Sequence, residues 1–136
     1  MKTPGAFLFC FVLIGLVADS MPLPGVFSVG NQCSYDKMWD NYAKMKAANC
    51  KNCDKYFHCQ GNFEAVYNCR GLFQRQTASI ISNIREWSQW RPGSGSKDSA
   101  ADQAANLFGR NGGDCASEYL RKVNCAWNPK TGKCSW

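Results

Sequence analysis

Histidine is nearly absent from this sequence: His58 is the only one in 136 residues. A single histidine cannot form a His pair. A catalytic dyad would have to combine it with a carboxylate that is distant in the sequence. The chain also lacks Gly-x-Ser-x-Gly and His-Glu-x-x-His motifs and has no close pair of carboxylates with a base. We therefore expect no catalytic residue and no cofactor, and a binding protein rather than an enzyme.

Long apolar runs are missing after the first 20 residues. Lys2 precedes an apolar run from Ala6 to Val17, and Ala18-x-Ser20 follows it with small side chains. The run is too short to span a membrane and predicts a secretory signal peptide over residues 1–20. We expect a secreted, extracellular domain over residues 21–136, with a cysteine-rich tail over 111–136. No Asn-x-Ser/Thr sequence is present, so ordinary N-glycosylation is not expected.

Cysteine, in contrast, is abundant. Cys10 lies in the predicted signal peptide, and eight cysteines remain: Cys33, Cys50, Cys53, Cys59, Cys69, Cys115, Cys125 and Cys134. An even number in an exported domain predicts four disulfides, although the pairing stays open. Cys50-x-x-Cys53 has the spacing of zinc ligands, but no second close pair or histidine follows at finger spacing. We therefore expect no metal site.

Positive charge is in excess, with a net charge of +6. This balance is typical either of a solvated surface that aids solubility or of a protein that contacts heparan sulfate, anionic lipid or bacterial surfaces. Nucleic acid is not an expected partner, and self-association is possible. The candidate contact residues are Lys37, Lys44, Lys46, Arg121, Lys122, Lys130 and Lys133.

Apolar residues recur at three- and four-residue spacing, which predicts amphipathic helices. The predicted helices run from Cys33 or Ser34 to Asn49, from Asp54 to Arg70-Gly71, from Phe73 to Trp90 and from Ser99 to Arg110. One or two further helical turns are expected in the tail. With no convincing strand, the fold class is all-α, a four-helix bundle with a disulfide-stapled C-terminal tail.

Several residues are candidates for special positions in these helices. Asp54 and Ser99 are candidate N-caps, and Ser99 with Asp102 has the pattern of a capping box. Gly109 is a candidate left-handed stop for the fourth helix. Ala104 is expected on a face where helices approach closely. Gly61-Asn62 is expected to allow a close helix contact or a bend.

Four segments resemble the serum amyloid A family. They are MWDNYAKMKAAN (38–49), DKYFHCQGNFEA (54–65), ISNIRE (81–86) and DSAADQAANLFGR (98–110), in that family's order and at nearly its spacing. The resemblance covers roughly residues 36–110. It implies a four-helix bundle and a secreted acute-phase protein of innate defence. The cysteine-rich tail has no counterpart in the vertebrate members, which suggests an invertebrate-type variant.

The resemblance also implies partners: high-density lipoprotein, phospholipid, retinol, heparan sulfate or bacterial surfaces. In the family, the first and third helices present the apolar surface that meets lipid. The matching residues here are Tyr35, Met38, Trp39, Tyr42, Phe73, Ile80, Ile81, Ile84 and Trp87. The same residues could instead form only the core of the bundle. His58 and its neighbours in DKYFHCQGNFEA are expected to be scaffold.

Two functional hypotheses therefore stand. The first is a lipid-binding acute-phase protein. The second is a disulfide-stabilised basic protein that binds microbial or glycosaminoglycan surfaces without lipid transport.

Overall fold

Five α-helices and one 3₁₀ turn follow each other in the computed structural model, which describes residues 30–89 and 96–135, with side chains for 30–86 and 99–135. The helices are α1 (Gln32–Ala48), α2 (Asp54–Tyr67), α3 (Gln74–Gln89), α4 (Ser96–Arg110) and α5 (Cys115–Tyr119), and the 3₁₀ turn is Arg121–Val123. The all-α prediction is confirmed for these residues, as are the four long helices and, with α5 and the 3₁₀ turn, the further helical turns expected in the tail. The predicted signal peptide and the segment 21–29 lie outside the described residues.

Helix α2 lies at the centre, in contact with each of the other four helices. Helix α1 starts at Asn31, whose side-chain oxygen accepts a hydrogen bond from the Ser34 backbone N–H at 3.0 Å. The Asn31 amide also donates to the carbonyls of Arg70 and Leu72, at 2.9 and 3.1 Å. One side chain therefore caps α1 and ties it to the turn between α2 and α3.

Three predicted helix boundaries are wrong. Asp54 is the first residue of α2 rather than its cap, and α2 ends at Tyr67, before Arg70-Gly71. Helix α4 begins at Ser96, so Ser99 lies inside it and cannot cap it. Instead, the Ser99 hydroxyl donates to Glu86 at 3.2 Å. Because Ser99 has a partner on α3, its role is tertiary rather than local.

Two small residues of α4 differ from expectation as well. Gly109 is helical, and the left-handed residue after α4 is Gly112, with φ of 82°. A Cβ built on Gly109 would lie 2.1 Å from the backbone oxygen of Cys59, so glycine is needed there because α4 crosses α2 at van der Waals contact. Ala104 is exposed, whereas Ala105 is fully buried. The close-packed face is therefore one residue further along.

All eight cysteines of the described chain are paired, which confirms the four predicted disulfides. Cys33–Cys69 joins the start of α1 to the end of α2. The other three, Cys50–Cys134, Cys53–Cys125 and Cys59–Cys115, join the α1–α2 turn and α2 to the tail. The tail is thus fastened along its length to the centre of the fold.

Disulfides also fill the larger of two buried clusters. This cystine core contains Cys50, Cys53, Cys59, Cys115 and Cys125, with Tyr56, Phe57, Ala105 and Leu120. A smaller apolar cluster contains Met38, Ala65, Ala78 and Ile81.

A third group of buried residues is polar. We call it the polar layer, and it consists of His58, Asn62, Ser82, Asn106 and Arg110. Asn62 is at its centre: its oxygen accepts from Arg110 at 2.8 Å and from Ser82 at 3.0 Å, and its amide donates to Asn106 at 2.9 Å. These bonds join α2, α3 and α4, and they offset the cost of burying polar groups.

Candidate functional site

The most exposed apolar side chains of the long helices lie on α3 and α4. Ile80 and Ile84 are separated by one helical turn and are 52% and 50% exposed, and Leu107 is 52% exposed. Two hydrogen bonds, from Arg75 to Asn111 and from Gln103 to Asn83, set α3 and α4 antiparallel and bring Leu107 level with Ile80. Ile80 and Ile84 lie on α3 and Leu107 lies on α4, and we call these three exposed residues the isoleucine patch.

A second apolar surface runs along α1 and is aromatic. Tyr35 and Trp39 have ring centroids 6.0 Å apart, and Trp39 and Tyr42 are 5.6 Å apart. Trp39 is 36% exposed, and the two tyrosines are half-buried. The Arg85 guanidinium of α3 lies over the Tyr42 ring, 4.2 Å from its centroid. This stacking fixes the aromatic row against α3.

The structure buries some of the predicted lipid-binding residues and exposes others. Met38 and Ile81 belong to the small apolar cluster and are each 2% exposed. Phe73 is 52% exposed and lies in the turn before α3, with a left-handed φ of 65°. The side chain of Trp87 lies outside those described. In this conformation Met38 and Ile81 cannot reach a lipid surface unless the helices separate.

Leu72, Leu107 and Phe108 are exposed apolar residues that the sequence did not single out, and they are 74%, 52% and 36% exposed. Leu107 follows the alanine-rich run of α4. The pattern of that run predicts that its alanines, rather than Leu107, lie at a helix contact. The neighbouring pair Leu-Phe was the available signal, since two large apolar residues in succession cannot both face the core of an amphipathic helix.

The predicted basic residues are also separated by the structure. Lys44 pairs with Asp40 at 2.7 Å and Lys122 pairs with Glu118 at 2.7 Å, both on the surface. Lys46 lies 5.5 Å from the Tyr42 ring centroid, beside the aromatic row. Arg121, Lys130 and Lys133 are exposed in the tail. Positive charge thus flanks the aromatic row and covers part of the tail.

A search of the described helices finds none that is both long and apolar enough to cross a membrane.

Comparison with known proteins adds a family to this geometry. A family model described as "Serum amyloid A protein" matches residues 27–124. The chain is 43% identical to serum amyloid A-3 protein of Mesocricetus auratus over 114 residues, which cover 84% of this chain and 89% of that protein. It is 42% identical to serum amyloid A-3 protein of Mus musculus, with the same coverage. With serum amyloid A protein of Canis lupus familiaris it shares 40% identity over 122 residues, 84% of this chain and 90% of the relative.

The matched region is wider than the four sequence motifs indicate. It reaches residue 124 and so includes α5 and the 3₁₀ turn, while Cys125 and Cys134 lie beyond it. The three relatives are mammalian proteins. They give no support to the interpretation of this chain as an invertebrate-type variant.

Proposed function

Because the chain belongs to the serum amyloid A family of acute-phase proteins, we propose that it is a secreted, non-enzymatic protein of innate defence that binds lipid surfaces through the isoleucine patch. The observation that carries this proposal is that Ile80 and Ile84, one turn apart on α3, and Leu107 of α4 are each about half exposed. The four long helices with their stapled tail would be the bundle of that family.

The isoleucine patch has the chemistry of an interfacial lipid contact. Burying a whole Leu or Ile side chain contributes about 1.5–3 kcal/mol, so three half-exposed ones add roughly 3 kcal/mol when they enter the acyl region. Trp39, the central and most exposed ring of the aromatic row, suits the headgroup level. Lys46 beside that row can contact anionic headgroups. The energies from the isoleucine patch and from the aromatic row add only when both surfaces contact the same membrane.

The disulfides limit how much further apolar surface can open. Met38 on α1 and Ile81 on α3 pack in one cluster, and Cys33–Cys69 holds the start of α1 to the end of α2. We therefore expect weak binding by the oxidised protein and stronger binding after reduction, when α1 can move away and expose Met38.

Flotation with phosphatidylcholine vesicles, with and without anionic lipid, tests the proposal. The double variant Ile80→Ser with Ile84→Ser should lose most vesicle binding while its circular dichroism is unchanged. Leu72→Ser is the matched control, because Leu72 is more exposed than either isoleucine but lies outside α3. Equal losses in the control and the double variant would show that the patch has no special role.

A second candidate function rests on the exposed basic residues of the tail, Arg121, Lys130 and Lys133. Here the protein would bind heparan sulfate or bacterial polysaccharide, without lipid transport. Retention on a heparin column should then fall steeply with salt and fall further in Lys130→Gln with Lys133→Gln. Strong heparin retention without vesicle binding would favour this function over the first.

Truncation of the N-terminal segment needs a defined limit. Since Asn31 caps α1, a deletion that tests the role of residues 21–29 must stop before Asn31. We expect such a deletion to change vesicle binding little, because the isoleucine patch and the aromatic row lie outside the deleted segment.

A further inference from the structure

His58, predicted to be scaffold, is enclosed by acidic groups from two other helices. It is 3% exposed, and its Nδ1 lies 3.6 Å from Oε1 of Glu86 on α3, while its Nε2 lies 3.6 Å from Oδ2 of Asp102 on α4. Both distances are too long for a hydrogen bond. One ligand atom from each of the three residues lies within 4.8 Å of the other two.

The polar layer determines which nitrogen of His58 carries the proton. The Arg110 guanidinium can only donate, so the atom of Asn62 that faces it at 2.8 Å is the oxygen. The Asn62 amide nitrogen then faces Asn106 and donates to its oxygen at 2.9 Å. That same Asn106 oxygen lies 3.1 Å from His58 Nδ1 and accepts from it. In the neutral ring, Nδ1 therefore holds the proton and Nε2 carries a lone pair.

This tautomer leaves two acceptors facing each other. The Nε2 lone pair points towards the Asp102 carboxylate, with no proton between them. Oε1 of Glu86 is buried without a hydrogen-bond partner among the described residues, and the buried Oδ1 of Asp102 faces the Lys55 ammonium at 3.4 Å. Glu86 itself is only 7% exposed. A bound cation would offset the cost of bringing these acceptors together.

We propose that His58, Glu86 and Asp102 form a binding site for one divalent metal ion of the zinc type, with Nε2 of His58 as the nitrogen ligand. One imidazole and two carboxylates suit zinc, whose bonds to nitrogen and oxygen of about 2.0–2.2 Å place tetrahedral ligands roughly 3.4 Å apart. The 3.6 Å separation of Nε2 and Asp102 Oδ2 is close to that value. Calcium and magnesium prefer six or more oxygen ligands and fit this set less well.

The surrounding hydrogen bonds support this assignment. A metal-bound histidine usually donates its other N–H to a carbonyl or carboxylate oxygen, which fixes the ring. His58 does this with Asn106. The Ser99 hydroxyl donates to Oε2 of Glu86 and leaves Oε1 available.

Two protein cations compete with the ion. Arg85 lies next to Glu86, and the Lys55 ammonium lies 3.4 Å from Oδ1 of Asp102. The Lys55 side chain is 32% exposed, so it can turn to solvent when metal enters. Removing its charge should therefore strengthen metal binding.

The test uses the full oxidised protein without an affinity tag, because His58 is then the only imidazole. Calorimetry with Zn²⁺ should give one ion per chain, Co²⁺ should give visible absorption of a low-symmetry site, and nitrogen NMR should show the Nε2 resonance of the single ring move. Affinity should fall by at least about tenfold in Glu86→Gln and in Asp102→Asn. It should stay unchanged in Glu118→Gln, whose carboxylate is on the surface of α5.

The Lys55→Met variant should change the affinity in the opposite direction and bind Zn²⁺ several-fold more tightly. Because Lys55 is partly exposed, a gain of affinity cannot be attributed to misfolding. The proposal is overturned if the wild-type protein binds no Zn²⁺, if the ring resonance does not respond, or if Lys55→Met binds no more tightly. It is also overturned if Glu86→Gln and Asp102→Asn, with unchanged circular dichroism, bind as the wild type does.

Discussion

The cystine core and the polar layer stabilise adjacent parts of one small fold by different chemistry. In the cystine core, three disulfides fasten the tail to the α1–α2 turn and to α2. Helices α3 and α4 contain no cysteine, and their contact with α2 includes the hydrogen bonds of Asn62 and its neighbours.

This difference indicates which part opens first. Disulfides restrict the unfolded chain and are independent of local fluctuations, whereas hydrogen bonds are lost together when one member of a network separates. We therefore expect α3 and α4 to detach from α2 while the tail stays in place. The exposed isoleucine patch lies on these two helices, so the part that binds lipid in our proposal is also the part without covalent ties.

The largest expected effect is the loss of a buried disulfide. Replacing Cys59 and Cys115 by alanine should cost about 4 kcal/mol from loop entropy, and more from the cavity left among residues that are 0% and 3% exposed. Replacing Cys33 and Cys69 should cost less, because that loop is shorter and Cys33 is exposed. Thermal unfolding of the oxidised proteins measures both. Equal losses would mean that the cystine core contributes nothing beyond its cross-links.

The contact between α2 and α4 should be nearly as sensitive. Gly109→Ala places a methyl group against the Cys59 backbone oxygen, which cannot rotate away, and should cost about 3 kcal/mol. Gly61→Ala is the control, since its Cβ would lie 3.2 Å from Cβ of Asn41, which needs to move only slightly. Chemical denaturation gives both values. A Gly109→Ala variant as stable as wild type would contradict the close helix crossing.

A smaller effect is expected in the polar layer. Asn106→Ala removes the acceptor of both Asn62 and His58 and should cost about 2 kcal/mol. Hydrogen exchange should become faster in α3 and α4 and stay unchanged in α5. Asn111→Ala, which removes only an exposed bond from Arg75, is the control. Faster exchange throughout the chain would show that the two regions unfold as one unit.

The smallest effect concerns the start of α1. Asn31→Ala removes an N-cap and should cost about 1 kcal/mol, with somewhat more from the lost bonds to the α2–α3 turn. Gln32→Ala, which loses only an exposed bond to Asp36, should be close to neutral. Melting temperatures distinguish the two. If they are equal, the Asn31 side chain does not tie α1 to the rest of the fold.

The sequence predicted those parts of the fold that depend on local spacing. Apolar periodicity located the four long helices, and an even number of exported cysteines predicted four disulfides. The position of Ala105 was missed by one residue, which is a rotation of about 100° around the helix. The role of Gly109 depends on the Cys59 backbone, and no local pattern connects them.

The His58 cluster could not be predicted for a similar reason. Its members come from α2, α3 and α4, and each helix contributes one residue. A single histidine without a nearby partner in sequence is typical of scaffold. The candidate lipid-binding residues rest on the resemblance to the family, which indicates the apolar residues of the first and third helices but not which of them the core covers. The structure buries Met38 and Ile81 and leaves Ile80 and Ile84 exposed.

The order of the cysteines has a consequence for proteolysis. The pair Cys59–Cys115 lies within the loop closed by Cys53–Cys125, which lies within the loop closed by Cys50–Cys134. Cys33–Cys69 overlaps all three. A single cut at any peptide bond between Cys33 and Cys134 therefore releases no fragment, and the nicked chain remains one covalent molecule until it is reduced.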